Sequence, residues 1–130
     1  MDFMQVAIEQ AQIAARRGEV PVGCVIVRNG KMIATGRNQR ERKKNSLWHA
    51  EIVAINRACR KLRTWRLDDC EMYVTLEPCQ MCRGAIVNAR LKCVYVGAKS
   101  TSNLNWDTPM IMQPNDLAKN ILVDFFRDKR

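Results

Sequence analysis

The sequence predicts an α/β domain of three layers, in which helices cover both faces of a mixed sheet of four or five strands. Three observations indicate this fold. Strand-like and helical segments alternate between residues 22 and 96, an order typical of crossovers within one sheet. The pair Asn29-Gly30 marks a tight hairpin. The 130 residues suit one domain, expected to span 1–130.

The first elements are a helix and a hairpin. Asp2 and Gln5 form a variant of the capping box, so a helix is expected from there until Gly18 stops it. Apolar residues line one of its faces: Met4, Ile8, Ala11 and Ala15. Residues 22–27 and 31–36 flank the Asn29-Gly30 turn and are predicted to pair as antiparallel strands.

A polar, basic loop is expected over residues 37–45, followed by a helix over 49–62. That helix carries two apolar stripes, so we expect it to be buried on two sides. The stripes are Ala50, Val53, Ala54 and Ala58 on one side, and Ile52, Ile55, Cys59 and Leu62 on the other.

The second half predicts strands over 71–76 and 92–96 with a helix over 79–89 between them. This strand–helix order implies parallel pairing of the strands with right-handed crossovers. Residues 97–114 have the weakest pattern, with a short strand expected over 108–112. Asn115 or Asp116 is expected to cap a final helix that runs to the C-terminus.

The amino-acid composition limits the classes of protein to which this chain can belong and indicates the kind of partner it binds. Apolar residues make up 47% of the chain, which excludes a disordered or fibrous protein. Lys and Arg exceed Asp and Glu by 22 to 13, a net charge of +9. Such an excess indicates a polyanionic partner, usually nucleic acid, although a solubilising surface would also explain it.

The sequence also predicts a cytoplasmic location. It has no apolar run long enough to cross a membrane, and its acidic, amphipathic start is unlike a signal peptide. The cysteines are therefore expected to stay reduced. Four of them lie in apolar segments and are interpreted as small core residues: Cys24, Cys59, Cys70 and Cys93.

Four residues carry the chemistry. The lone histidine, His49, stands two residues before Glu51, and the pair Cys79 and Cys82 follows Pro78 at the start of a predicted helix. Three protein ligands with an open fourth position are typical of a hydrolytic zinc site. We therefore predict that His49, Cys79 and Cys82 bind Zn²⁺, and that Glu51 acts as general acid and base beside it.

Plainer interpretations of these residues exist. Cys79 and Cys82 alone would fit a redox pair, and Glu51 alone would fit an ordinary acidic residue in a first helical turn. A closed structural zinc site would need a fourth ligand, for which Cys70 and Cys93 are conceivable but lack a second Cys or His at ligand spacing.

The motifs resemble the bacterial tRNA-specific adenosine deaminases of the zinc-dependent cytidine and deoxycytidylate deaminase superfamily. His-x-Glu followed by Pro-Cys-x-x-Cys is common to the whole superfamily. Further matches cover almost the whole chain: Gly18-Glu19-Val20-Pro21-Val22-Gly23, Gly36-Arg37-Asn38, His49-Ala50-Glu51-Ile52, Tyr73-Val74-Thr75-Leu76-Glu77-Pro78, Gly84-Ala85-Ile86, Gly97-Ala98 and Asp124-Phe125-Phe126-Arg127.

The resemblance implies a cytidine-deaminase-like fold, a homodimer, and hydrolytic conversion of adenosine to inosine at the wobble position of a tRNA anticodon. By motif match it assigns Asn38 to hydrogen bonding of the purine, Val20 and Pro21 to the pocket wall, and Phe126 with Arg127 to the RNA. Trp48 departs from the family's pattern before its histidine and is expected either to alter the pocket mouth or to stack on a base. The region after Gly97-Ala98 is shorter than in the family.

Basic residues support an RNA substrate independently, because they contact phosphates while aromatic residues stack on bases. They cluster in three places: Arg40, Arg42, Lys43 and Lys44; Arg57, Arg60, Lys61, Arg63 and Arg66; and Arg127, Lys129 and Arg130. The alternatives are a deaminase of free guanine, cytosine or a nucleoside, which needs no positive surface, and a non-catalytic RNA-binding subunit, which would not need Glu51. Phe125 and Phe126 could also be core residues.

Overall fold

The computed structural model describes residues 1–100 and 106–128, which form five helices and five strands, and the strands make one sheet. No helix in this part of the chain is long and apolar enough to cross a membrane. In chain order the elements are α1 (Phe3–Arg16), β1 (Gly23–Arg28), β2 (Lys31–Arg37), α2 (Arg40–Lys43), α3 (Ala50–Leu62), β3 (Cys70–Leu76), α4 (Gln80–Asn88), β4 (Cys93–Ala98), β5 (Met110–Met112) and α5 (Asp116–Asp128).

The sheet has five strands in the order β2-β1-β3-β4-β5, as the sequence predicts for a mixed sheet. β3 pairs in parallel with β4, and β4 with β5. β1 pairs antiparallel with both β2 and β3. The predicted antiparallel hairpin and the predicted parallel pairing of β3 with β4 are both confirmed, and the antiparallel pairing of β1 with β3 is a further finding. The hairpin puts β2 at the sheet edge, and the crossover through α3 returns the chain beside β1 instead of beside β2.

Two apolar clusters form the layers on either face of the sheet. On β1, the side chains of Cys24 and Ile26 belong to the cluster that includes α3, and those of Val25 and Val27 to the cluster that includes α1. This alternation is the two-residue period of a strand buried on both faces. α3 and α4 therefore cover one face, and α1 and α5 cover the other.

Local signals in the sequence explain where several elements begin. The Asp2 carboxylate accepts a hydrogen bond from the Gln5 backbone N–H at 3.1 Å and caps α1. Asn29 and Gly30 both have positive φ, 51° and 75°, as a two-residue hairpin turn requires. Of the two candidate caps for α5, Asn115 is the one whose side chain accepts from helix amides, those of Leu117 and Ala118.

Gly36 sets how closely α3 approaches the sheet. A Cβ atom at this position of β2 would lie 2.3 Å from the Ala50 carbonyl oxygen and 2.7 Å from the Ala54 nitrogen. Real Cβ atoms essentially never come within 3.0 Å of another heavy atom. The missing side chain of Gly36 therefore lets the backbone of α3 rest directly on β2.

The structure corrects the expected loop over residues 37–45, because Arg40–Lys43 form the short helix α2. Both oxygens of the buried Glu19 carboxylate hold its first turn. They accept from the backbone N–H groups of Glu41 at 3.2 Å and Arg42 at 2.9 Å. The helix therefore depends on a side chain far away in the sequence.

The four cysteines outside the Cys-x-x-Cys pair match their interpretation as core residues. The thiols are free, and Cys24, Cys70 and Cys93 are buried. Cys59 is partly buried against the α3 side of the core. None of these four belongs to the three-residue group described below.

Candidate metal centre and adjoining pocket

The N-termini of α3 and α4 meet at the end of the sheet where β3 and β4 finish. His49 is the N-cap residue of α3, and Cys79 is the N-cap residue of α4. Neither side chain caps its own helix by a hydrogen bond. Both are therefore available to groups outside the helix, next to amide groups and dipoles that favour negative charge.

The structure brings together the three predicted ligands. The Nδ1 atom of His49 lies 3.7 Å from Sγ of Cys79 and 3.6 Å from Sγ of Cys82. All three ligand atoms lie within 4.8 Å of one another, so the group could hold a metal ion. Cys82 is buried, His49 is half-buried and Cys79 is exposed, so the group opens on one side.

The two thiols differ strongly in acidity. A hydrogen bond from Cys82, the nearby backbone N–H groups at the start of α4 and the nearby His49 lower the pKa of Cys79 to about 5, although burial opposes them; these N–H groups lie near the sulfur without forming a helix cap. The same hydrogen bond to Cys79, with burial, raises the pKa of Cys82. Cys79 therefore gives up its proton more readily than Cys82, and thiolate is the form in which cysteine binds metals.

Glu51 lies in the first turn of α3 with its side chain buried beside the three ligands. Burial raises the pKa of Glu51 to about 7, with a further increase from Cys79 and partial opposition from hydrogen bonds to the backbone and Cys82. A carboxyl group in this range can both take up and release a proton near neutral pH. The geometry therefore provides a proton carrier next to the ligand group.

A cavity of about 410 Å³ opens over this group. The Asn38 side-chain oxygen accepts from the Ala50 N–H at 2.8 Å and orients the amide. No buried side-chain nitrogen or oxygen of the described residues lacks a hydrogen-bond partner, so Nδ2 of Asn38 faces accessible space as a donor. The lining residues are Val20, Val22, Asn38, Arg40, His49, Glu51, Leu76, Glu77, Cys79, Gln80 and Ser100.

Four residues expected to contact the substrate do not line this cavity: Pro21 and Trp48, which were expected at the pocket, and Phe126 and Arg127, which were expected at the RNA. Pro21 is fully buried and cannot form a pocket wall. Trp48 is half-buried, and its backbone oxygen accepts from the Gln39 N–H at 3.0 Å. Phe126 and Arg127 lie near the end of α5, which packs with α1, and they border a separate surface cavity.

Sequence reasoning missed the role of Glu77, which lies between β3 and Cys79. Its buried carboxylate accepts from Arg83 Nη2 at 2.6 Å, Trp106 Nε1 at 3.0 Å and the Ser100 N–H at 3.1 Å. Burial by itself would raise the pKa of Glu77, but these hydrogen bonds and the Arg83 charge hold it below its usual range. Only its position in the motif before Cys79 could have indicated a role.

Arg83 extends this network to the segment between β3 and α4, which carries Cys79. Its Nε donates to the Pro78 carbonyl at 3.0 Å, and its guanidinium lies 4.4 Å from the centre of the Trp106 ring. Glu77 therefore holds the Arg83 side chain, which in turn binds the carbonyl group that precedes Cys79.

Comparisons with known proteins found a family profile and several similar chains. A sequence profile of the MafB19-like deaminases matches residues 1–130. The tRNA-specific adenosine deaminase of Bacillus subtilis is 49% identical over 96 residues, which are 74% of this chain and 60% of that protein. The chain thus spans less than two thirds of that relative's length.

Two solved structures are also similar. One comes from a study of A-to-I editing by tRNA:A34 deaminases at the wobble position of transfer RNA. It is 35% identical with a TM-score of 0.78, over 85% of this chain and 95% of that one. The other is guanine deaminase from Bacillus subtilis, 40% identical with a TM-score of 0.73, over 76% of this chain and 64% of that one.

Proposed function

The chain belongs to the MafB19-like deaminase family, and from that membership we propose that it deaminates adenosine to inosine at the wobble position of a tRNA anticodon. The name of the Bacillus subtilis relative and the subject of the first solved structure support this substrate. The net charge of +9 also favours an RNA substrate over a free base. Such a substrate agrees with the cytoplasmic location expected from the sequence.

The metal we propose at His49, Cys79 and Cys82 is zinc. Tetrahedral zinc with Zn–S near 2.3 Å and Zn–N near 2.05 Å puts nitrogen and sulfur ligands about 3.5 Å apart. The observed separations from His49 Nδ1 to the two sulfurs are 3.6 and 3.7 Å. The donor set and its spacing therefore fit zinc, and three protein ligands leave a fourth position for water.

A bound zinc ion would supply a Lewis acid that makes a water molecule nucleophilic near neutral pH. Glu51 accepts the proton that this water loses and delivers it to the amino group leaving C6 of adenine, so that adenosine and water give inosine and ammonia. The carboxylate can serve both steps because it is buried at the pocket, next to the ligand group.

The pocket residues would hold the base once it leaves the anticodon stack. Asn38 offers Nδ2 as a donor to a ring nitrogen, because its oxygen is already bound to the Ala50 N–H. Val20, Val22 and Leu76 provide apolar walls for the ring. We propose no substrate role for Pro21, which is fully buried.

The observation that carries this proposal is the convergence of Glu51, His49, Cys79 and Asn38 on one cavity. It is tested by incubating the protein with an anticodon stem-loop that has adenosine at the wobble position and measuring inosine by mass spectrometry. Glu51→Gln is the matched control: we expect inosine formation to fall about 10²- to 10⁴-fold while the zinc content stays the same. An unchanged rate in this variant would contradict the mechanism.

The second candidate is a guanine deaminase, which the 40% identical Bacillus subtilis structure favours. This reaction would use the same three ligands and Glu51 but no RNA surface. Ammonia release from guanine, cytosine and adenosine, measured beside inosine formation in the stem-loop, separates the two. Ammonia from a free base with no inosine in the RNA would favour the second candidate.

We also propose that the protein is a homodimer, on the evidence of α3. Its first apolar stripe is buried against the sheet, whereas the second stripe, from Ile52 to Leu62, is only half-buried. A second copy of the chain would cover this stripe. Light scattering after size-exclusion chromatography tests the proposal, with Ile52→Asp expected to shift the mass from dimer to monomer.

A further inference from the structure

Four arginines lie near the end of β2 that leads into the pocket, where the charges of three of them act on the fourth, Arg37. We call them the arginine patch: Arg17, Arg37, Arg42 and Arg57. They come from four different elements, namely the C-cap of α1, the last residue of β2, α2 and the middle of α3. Two of them, Arg17 and Arg37, carry no role in the function proposed above.

Hydrogen bonds at the sheet edge place two of these side chains. Arg37 follows Gly36, whose neighbour is α3, so Arg37 points to the opposite face. There its Nη1 donates to the Gln10 side chain in α1 at 3.3 Å. Arg57 reaches β2 from the α3 side, and its Nη1 donates to the Thr35 carbonyl at 3.1 Å. The two guanidinium groups thus approach the edge strand from its two faces.

Glu19 places the other two members. Its backbone N–H donates to the Ala14 carbonyl at the end of α1, and its carboxylate holds the first turn of α2. Arg17 and Arg42 flank this connection. The Glu19 carboxylate is buried and already accepts two backbone hydrogen bonds, so it does not project into the surface of the patch.

The positive charges of the patch are not paired with carboxylates. In residues 1–100 and 106–128, the side-chain ion pairs are formed by Arg28, Arg66, Arg83 and Arg127. Burial and then repulsion from Arg17, Arg57 and Arg42 hold the pKa of Arg37 below its usual range. Like charges held together in this way attract a multivalent anion.

We propose that the arginine patch binds the phosphodiester backbone of the substrate RNA beside the target nucleotide. The inference rests on the proposed function and adds a contact site to it. The patch adjoins the pocket along the chain, because Arg37 precedes Asn38 and Arg42 lies in the same short helix as Arg40, and both Asn38 and Arg40 line the cavity. Guanidinium groups bind phosphate oxygens in a bidentate manner, which suits a backbone leaving the pocket.

The test compares triple variants with matched changes in charge. The patch variant carries Arg17→Gln, Arg42→Gln and Arg57→Gln, and Arg37 is kept because it is partly buried. The control variant carries Lys31→Gln, Lys92→Gln and Lys119→Gln, which remove the same charge from exposed positions at the far end of β2, before β4 and in α5. A third variant replaces the same three arginines by lysine. Thermal melting confirms that each variant folds.

Fluorescence anisotropy measures the Kd for the anticodon stem-loop at several salt concentrations. The slope of log K against log salt is negative, and its magnitude falls by about one for every phosphate that the protein no longer neutralises. The magnitude should therefore be smaller by about three in the patch variant. The control variant should keep the parent slope, and the lysine variant should recover most of the affinity. A patch variant with the parent Kd and slope would overturn the proposal.

Inosine formation in the same stem-loop separates this inference from the function on which it rests. If the parent makes inosine and the patch variant binds as tightly as the parent, the arginine patch does not bind the RNA, and the proposed function is retained. If the parent binds through the patch but makes no inosine, the proposed function is wrong and the patch remains an RNA contact. If the parent does not bind the stem-loop, both are wrong.

Discussion

Replacing Gly36 by alanine should push α3 off the sheet and disturb the metal centre. The added Cβ would lie 2.3 Å from the Ala50 carbonyl oxygen, whereas contacts under 3.0 Å essentially never occur. The helix must therefore retreat by at least 0.7 Å, the difference between these distances. The same Cβ would also lie 2.7 Å from the Ala54 nitrogen, one turn further along α3. Rotating the helix away from the first clash would therefore not relieve the second.

Overpacking of this kind costs about 1–3 kcal/mol, and the involvement of backbone atoms puts Gly36→Ala near the upper end. For a chain of this length 1 kcal/mol changes Tm by about 3–5 °C, so a decrease of about 6–15 °C is expected. His49 moves with α3, and metal–ligand distances tolerate only about 0.2 Å. The variant should therefore bind zinc more weakly as well.

Thermal melting and zinc titration with a competing chelator measure these two effects. Gly84→Ala is the matched control, because a Cβ at Gly84 in α4 would have nothing within 4 Å. Helix propensity predicts that this control raises stability by up to about 1 kcal/mol. The reasoning would be refuted if Gly36→Ala bound zinc as well as the parent and melted within about 1 °C of it, a change far smaller than the expected decrease in Tm.

Three further changes test other parts of the molecule. Glu77→Gln leaves the buried Arg83 without its charged partner and should cost about 3 kcal/mol in urea unfolding at pH 7. Because the folded pKa of Glu77 is depressed, the parent should lose this advantage as the pH falls below the ordinary carboxyl value, and the two unfolding curves should converge in acid; parallel curves would contradict the assignment. Removing metal with a chelator should lower the Tm of the parent but not of Cys82→Ser, and an equal decrease in both would exclude this ligand set. Asp2→Ala should cost about 1 kcal/mol through the lost cap of α1, measured against Asp116→Ala, whose carboxylate does not cap α5.

The sequence predicted the features that depend on neighbouring residues. Asn29-Gly30 specified the hairpin because both residues tolerate positive φ. Asp2 specified the start of α1 through a bond three residues along the chain. The grouping of the candidate metal ligands was predictable because His49 and Cys79 each precede a helix and Cys82 lies in the first turn of the second one, and the chemistry of one histidine with two thiols admits few alternatives.

The missed features depend on contacts between distant segments. Helix α2 needs the carboxylate of Glu19, which approaches it only after β1 and β2 have paired. The network of Glu77 requires Trp106, almost thirty residues later. RNA contact by Phe126 and Arg127 stays a prediction, whereas the packing of α5 beside α1 could not be read from their motif. Lys129 and Arg130 lie outside the described residues.

The two N-cap positions occupied by His49 and Cys79 imply an evolutionary compromise between activity and stability. Serine or aspartate at an N-cap typically stabilises a helix by about 1 kcal/mol, and neither His49 nor Cys79 makes such a bond. In chelated protein, Cys79→Ser should therefore melt above the parent, although it would be inert. The same two positions aim their side chains at one point, where the proposed ion would bind both, and this use accounts for the weaker helix starts.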